Sequence, residues 1–466
     1  MDRFRLSTAP AWIAGLLLLG CSRSGDGAGA PGEEPRNLIL VTLDTLRADH
    51  LSCYGYFRRT SPNLDGLARG GVVFERAYAP MAVTLPSHAT VMTGLFPGEH
   101  GILGNLDPEG RFFPWRSEVR TLAEMAREAG YHTAAFVSAT PLKRPSGIAA
   151  GFDVYDEPED RERIAGATLE AVQPWLKRDP PEPFFLWVHL FDPHWPYQPP
   201  PGYDVYATDA GLEEWIAERD LPDSLTFTDG GEGYVTRDVL NRYDGEIRYL
   251  DDQLGIFFQQ LRSRRLLGRS VVAVVGDHGE GLNQHQWNRH GRVHEEQIHV
   301  PFLLHLPGGR GPHPARVDAL VSTADVMPTV LPFVHGQLAR RFAAQATGRD
   351  VFAPDYHERP LLALRMGKTG ADDSDARSAL VTPEWKLIHG RESGNQLFDR
   401  QSDPHELVDL APERPDVVRA LLEALAAEQE RQARRAAGLG GAGEARAVDP
   451  ELLRELEAIG YWGDSE

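Results

Sequence analysis

The chain has 466 residues, with 48 Lys plus Arg against 68 Asp plus Glu, a formal charge of −20. That length and an ordinary apolar content allow one large α/β domain with a smaller companion. The acidic balance excludes a nucleic-acid partner, which requires a basic face, but not an anionic substrate, because a metal ion can supply positive potential locally.

Taken in chain order, the first residues read as an export signal. Arg3 and Arg5 give a basic start, and the apolar run from Ala11 to Leu19 is too short to span a bilayer. Leu18-Leu19-Gly20-Cys21 resembles the lipobox of bacterial lipoproteins. The resemblance implies that residues 1–20 are removed and that Cys21 carries lipid, so that the membrane is met through the anchor only. Ser22 follows, which in that class implies the outer membrane, and the expected location is the cell envelope, lipid-anchored, at the outer membrane or the periplasmic face. Residues 21–35 are rich in Gly, Ser, Pro and charge and read as a tether. Cys53 is the one other cysteine, so no internal disulfide is expected.

Residues 36–355 read as the catalytic domain. Short branched apolar runs that suit buried parallel strands occur at Asn37 to Leu43, Thr133 to Val137, Phe184 to His189, Ser270 to Val275 and Pro301 to His305. Helical patterns lie between them at Asn63 to Arg69, Thr121 to Ala129, Ile164 to Leu176 and Leu240 to Leu261. This alternation predicts a doubly wound, mostly parallel sheet. Residues 356–466 read as a small α+β subdomain with a helical tail. Its strands are expected near Trp385 to Ile388 and Gln396 to Asp399, and its helices at Asp416 to Ala436 and Asp449 to Ile459, with a loop over Gly438 to Ala447.

Chemistry-bearing residues fall at strand ends. Asp44 closes the first run, where open α/β sheets bind ligands; an acid there serves as a metal ligand or as the cap of the next helix. Thr84 precedes Pro86 in a segment stopped by Gly94, so it sits near a helix N-terminus, a ready site for a tetrahedral oxyanion. Its hydroxyl either caps that helix or attacks an ester once a metal lowers its pKa. Asp277-His278 follows the run Ser270 to Val275. Asp44, Thr84, Asp277 and His278 together make an O/N ligand set suited to Zn²⁺, Mn²⁺ or Mg²⁺. His194 and His290 each offer an imidazole to a substrate oxygen, a second metal or a leaving-group proton.

The pieces VTLDTLRADHLSCYGY, TLPSHATVMTG, HLFDPHWPYQPP, RYDGEIRYLDDQLG, DHGEG and VHEEQIHVP, and a later WKLI…LFDRQSDPHELVDL, occur in the order and at the distances of the sulfatase family. The chain resembles that family from about Asn37 to Tyr461. The resemblance implies an alkaline phosphatase-like fold with a small C-terminal α+β subdomain. It also implies one divalent ion (Zn, Mn, Mg or Ca) with room for a second, and hydrolysis or transfer at an anionic ester linked to glycan or lipid. The chain departs from the family at several places. Thr84-Leu85-Pro86-Ser87-His88 stands where sulfatases carry the Cys or Ser that becomes formylglycine, with His88 in place of an arginine at the substrate. Thr45 replaces the second Asp of a pair, FVSATPLKR replaces a Lys-Trp-His motif, and His290 replaces a lysine. These departures resemble the threonine-nucleophile branch, in which the Asp-His-Gly histidine and a following histidine are spaced as His278 and His290 are. Hydrolysis is thus expected to be of a sulfate or phosphate ester, with Thr84 favouring phosphorus. A phospho-head-group transferase is the rival reading; that branch usually places several membrane helices before its domain. An inactive glycan-binding scaffold is the third, and the full set of Asp44, Asp277, His278, His194 and His290 argues against it.

Overall fold

Residues 36–226, 233–366 and 376–458 are described by a computed structural model; the signal segment, Cys21 and the tether lie outside them. The apolar run Asn37–Leu43 forms β1, buried along its whole length. An unbroken run of this kind needs helices on both faces, and its side chains alternate between two cores. Leu38 and Leu40 enter one core, and Ile39, Val41 and Leu43 enter the other. The sheet continues with β2 (Val72–Tyr78), β3 (His132–Phe136), β4 (Val154–Asp156), β5 (Phe184–Leu190), β6 (Ser270–Gly276), β7 (His299–His305) and β8 (Arg316–Ser322). Its spatial order is β8-β2-β7-β6-β1-β5-β3-β4. Helices Pro62–Gly70 (α1), Ala165–Lys177 (α4) and Thr236–Ser263 (α5) cover one face, and Thr84–Thr93 (α2) and Leu122–Glu128 (α3) the other. No helix among the described residues is long and apolar enough to cross a membrane.

Among the described residues β7 alone runs against its neighbours in this sheet, pairing antiparallel with both β6 and β2. This corrects the parallel expectation for Pro301 to His305. The chain leaves β6 at its carboxyl end and wanders through a loop holding two short helical turns, Gln284–Gln286 and Glu295–Ile298. With no crossover helix to carry it back, it re-enters the sheet from the end it left. Three strands of this sheet, β2, β4 and β8, were not expected from sequence, and β4 is only three residues long. Glu75 and Arg76 interrupt the apolar run of β2, and Asp318 does the same in β8.

The motif RYDGEIRYLDD lies on α5 and proves to be scaffolding. Tyr243 donates its hydroxyl to the Thr45 carbonyl (2.7 Å) and accepts the Arg47 amide (3.0 Å). Asp244 holds His50, Arg58 and Tyr56 within 2.8 Å, and Asp251 accepts the first amides of α1. The helix thus sets the course of the chain just after β1, where Asp44 sits.

Residues Leu361–Arg365, Arg377–Val381, Trp385–Gly390 and Gly394–Asp399 form an antiparallel sheet. One face carries Pro415–Ala437 and the other packs on Tyr78, Ala82, Val293 and Ile298 of the main unit. Within the segment expected as a loop, Arg446 and Ala447 pair with Arg111 and Phe112. A charged clasp joins the two layers. Lys386, fully buried, lies 2.6 Å from Glu406, and Glu406 accepts the Glu295 amide at 3.1 Å. His285 sends Nδ1 to Glu296 and Nε2 to the Glu406 carbonyl, both at 3.2 Å.

Both His285 nitrogens therefore donate, which requires the imidazolium. Burial pushes its pKa down, but the charges of Glu296 and Glu406 outweigh burial and lift it to about 9. A raised pKa contributes stability that is complete below the unfolded value of about 6.5 and is lost as pH climbs through the folded value. His285→Gln is expected to cost on the order of 3 kcal/mol more at pH 6 than at pH 10. Urea unfolding of both proteins across that range reads the difference; a pH-independent gap would show that the imidazolium is not what holds the clasp.

Candidate active site

At the carboxyl ends of β1 and β6 the chain delivers two acids side by side. The Asp44 amide donates to Leu190 on β5 (3.0 Å), and the Asp277 amide to Leu43 on β1 (3.1 Å), so parallel pairing alone sets Asp44 beside Asp277. Gly279 follows because a Cβ there would stand 2.1 Å from the Glu296 carbonyl oxygen. Asp44, Asp277 and His278 bring one ligand atom each within 4.8 Å of one another. His278 Nε2 stands 3.7 Å from Asp44 Oδ1 and 3.5 Å from Asp277 Oδ2.

Both carboxylate oxygens of Asp44, Oδ2 of Asp277, Nε2 of His278 and Oγ1 of Thr84 are buried with no hydrogen-bond partner. This removes the capping readings. Asp44 caps nothing, and α2 has Val83 at its cap position with Thr84 as first helical residue. Burial lifts Asp44 to about 7, and burial with the neighbouring Asp44 charge pushes Asp277 well above the carboxylate range. Two acids held this way are neutralised by protons or by a cation between them. A divalent ion fits the donor set of Asp44, Asp277 and His278, two carboxylates and one imidazole, which is the chemistry of Zn²⁺, Mn²⁺ or Mg²⁺ rather than of thiol-seeking metals.

The hydrogen bonds fix the histidine tautomers. His278 Nδ1 faces the Gly279 carbonyl (3.0 Å), His290 Nδ1 that of Ala82 (3.1 Å) and His194 Nδ1 that of Trp195 (2.7 Å). Each Nδ1 carries the proton, so each Nε2 presents a lone pair. The rings gather, with His278 and His290 centroids 4.5 Å apart and His290 and His194 5.6 Å apart. Burial pushes all three below the usual histidine pKa.

His88, expected at the substrate, is fully buried beneath the cluster. Its Nδ1 donates to the Thr84 carbonyl at 2.8 Å and its Nε2 accepts from Thr42 at 2.9 Å, while Nδ1 lies 3.6 Å from Asp277 Oδ2. With both ring nitrogens occupied, it braces Thr84 and the floor of the site. Thr45 donates its hydroxyl to the Pro193 carbonyl and so offers nothing to the cluster. Sequence reasoning missed His189. Its Nδ1 accepts the Ser138 amide (3.3 Å), which leaves the proton on Nε2, 3.3 Å from Asp44 Oδ2. It flanks Asp44 without a hydrogen bond to it. The signal was a lone polar residue inside the run FFLWVHL.

A family model described as Sulfatase matches residues 36–336, more than half of the chain. The chain belongs to the sulfatase family. An arylsulfatase of Clostridium perfringens is 26% identical over 460 aligned residues, covering 83% of this chain and 93% of its own. An N-acetylgalactosamine-6-O-sulfatase of Bacteroides thetaiotaomicron is 23% identical, covering 88% and 96%. The crystal structure of a phosphonate monoester hydrolase of Agrobacterium radiobacter superposes with a TM-score of 0.66 at 21% identity, covering 85% and 96%. This sulfatase-family chain is a hydrolase of sulfuric or phosphoric esters.

Proposed function

We propose that this protein is a divalent-metal-dependent hydrolase of phosphoesters, lipid-anchored in the cell envelope, with Thr84 as an unmodified oxygen nucleophile. The observation that carries the reading is the set of buried polar atoms without partners on Asp44, Thr84, Asp277 and His278. A buried hydroxyl without a partner costs about 1–3 kcal/mol, and a buried carboxylate more. Such a cost is sustained where a ligand relieves it. Asp44, Asp277, His278 and Thr84 would hold the ion, which when bound lowers the pKa of the Thr84 hydroxyl and neutralises charge on the ester.

The remaining steps belong to the chain. Thr84 Oγ1 gives its proton to a lone-pair Nε2, that of His290 or His194, and bonds to phosphorus. The bond from phosphorus to the leaving alcohol breaks, and the alcohol oxygen takes that proton. Water then attacks the phosphorus, and Oγ1 recovers a proton as it leaves. Threonine lacks the second hydroxyl by which a formylglycine hydrate expels sulfate, so its adduct opens only by attack at the central atom, which suits phosphorus. The fold's likeness to a phosphonate monoester hydrolase supports phosphorus, and the likeness to an arylsulfatase and a hexosamine sulfatase favours sulfate and a glycan-linked ester.

One experiment separates these. Purified protein with added Mn²⁺ or Zn²⁺ is offered aryl sulfate, aryl phosphate and bis-aryl phosphate, beside His194→Ala and His290→Ala. A phosphorus ester is expected to turn over fastest, and each substitution to lower that rate by roughly two to four orders of magnitude without unfolding the chain. A preference for sulfate would overturn the phosphoester reading. An unchanged rate would remove that histidine from the site.

A further inference from the structure

At the opposite end of the sheet, a groove of about 850 Å³ is lined by Arg262, Arg264, Arg265, Arg269 and His305. The sequence holds no acid from Arg262 to Gly276 and none from His305 to Val317, where Arg310 adds a further exposed cation. In a chain of charge −20 this is a concentrated basic face. Arg264 and Arg269 meet Asp179 and Glu182 at the rim. Arg262 and Arg265 are exposed and pair with no acid among the described residues.

The described chain starts on this same face. Asn37 is in register with Ser270, and its side chain donates to Glu182 at 2.7 Å, the carboxylate that Arg269 also meets at 2.8 Å. Fourteen residues separate Cys21 from Arg36, a length that reaches at most about 50 Å when extended. A lipid on Cys21 would therefore bring a membrane within reach of the arginines, while Asp44 and Asp277 lie beyond the far ends of seven-residue strands, roughly 20 Å away.

We propose that this face docks on anionic lipid, with Arg262, Arg264, Arg265, Arg269 and Arg310 engaging headgroup phosphates, so that the catalytic mouth points away from the membrane. The inference rests on the lipid-anchored reading of Cys21 and deepens it. The substrate of such an enzyme reaches the site from the aqueous side and is not a headgroup of the anchoring membrane.

The test uses the full chain purified from membranes, its Cys21 mass determined, on phosphatidylcholine vesicles with and without phosphatidylglycerol. The triple variant Arg262→Gln, Arg265→Gln, Arg310→Gln stands beside wild type. At roughly fivefold per arginine near the surface, wild type should leave anionic vesicles about a hundredfold more slowly than the variant, with salt erasing the difference. The two should leave neutral vesicles alike. Equal rates on anionic vesicles would overturn the proposal. A Cys21 without lipid would overturn the anchor reading alone; anionic vesicles that then still pull down wild type and not the variant uphold the face, and no pull-down overturns it. Retention on immobilised heparin that the variant loses, with indifference to phosphatidylglycerol, would reassign the face to a polyanionic glycan.

Discussion

Thr84→Ala is expected to lower turnover of the preferred ester by roughly 10⁴- to 10⁶-fold, the scale seen when a nucleophile is deleted from a unit that otherwise remains whole. Thr84→Ser should retain most activity, because it keeps the oxygen. Stability should move the other way from an ordinary core truncation. Thr84 Oγ1 is buried and makes no hydrogen bond, so its removal relieves a desolvation cost while leaving only a small void. The metal-free alanine variant is therefore expected to unfold within about 1 kcal/mol of metal-free wild type. Rates on the aryl esters with single-turnover trapping of a Thr84 adduct provide the check. An alanine variant as fast as wild type would leave Thr84 as a ligand only, with water attacking the ester directly.

Asp277→Asn is expected to abolish metal retention, lowering content from about one ion per chain to less than about a tenth, since the remaining ligands cannot offset the dehydration of the ion. Elemental analysis reads this, and full occupancy in the variant would sink the assignment. The same substitution has a second signature. Without metal, burial and the neighbouring Asp44 charge oppose ionisation of Asp277. The amide of Asn keeps the oxygen that accepts the Thr45 and His278 amides and removes the cost of ionisation, so the stripped variant should melt at or above the temperature of stripped wild type. Metal-loaded wild type should exceed both, because a ligand that binds only the native state stabilises it by mass action. A stripped variant far less stable than stripped wild type would mean that Asp277 holds the fold rather than an ion.

The parts of this arrangement legible in the sequence are those that repeat with a short period. Unbroken branched runs announced β1, β5 and β6, and the acids closing β1 and β6 could be read as site residues because parallel strands deliver their carboxyl ends to one edge. Legibility failed where a residue serves the sheet and the site at once. His189 lies inside a buried strand and reads as core. Its role follows only from Ser138, which sets its tautomer from another strand's end. His88 looks like a replacement for a substrate-binding arginine, but a ring too short to reach outward folds down onto Thr42. The direction of β7 was hidden because direction depends on the connection, not on the strand. Cys21 and the tether lie outside the described residues, so their reading stays with the proposals.

The clasp made by Lys386, Glu406 and His285 has a consequence for the timing of synthesis. The loop that carries His290 lies between β6 and β7, yet it is tied down by Glu406, which the ribosome adds long afterwards. Asp44, Thr84, Asp277 and His278 can be brought together by the central sheet once β6 is in place. His290 must await the last sheet of the chain. An emerging polypeptide would therefore gather its candidate ligands well before its full set of imidazoles, and its chemistry would switch on only when the carboxyl-terminal layer closes over the loop.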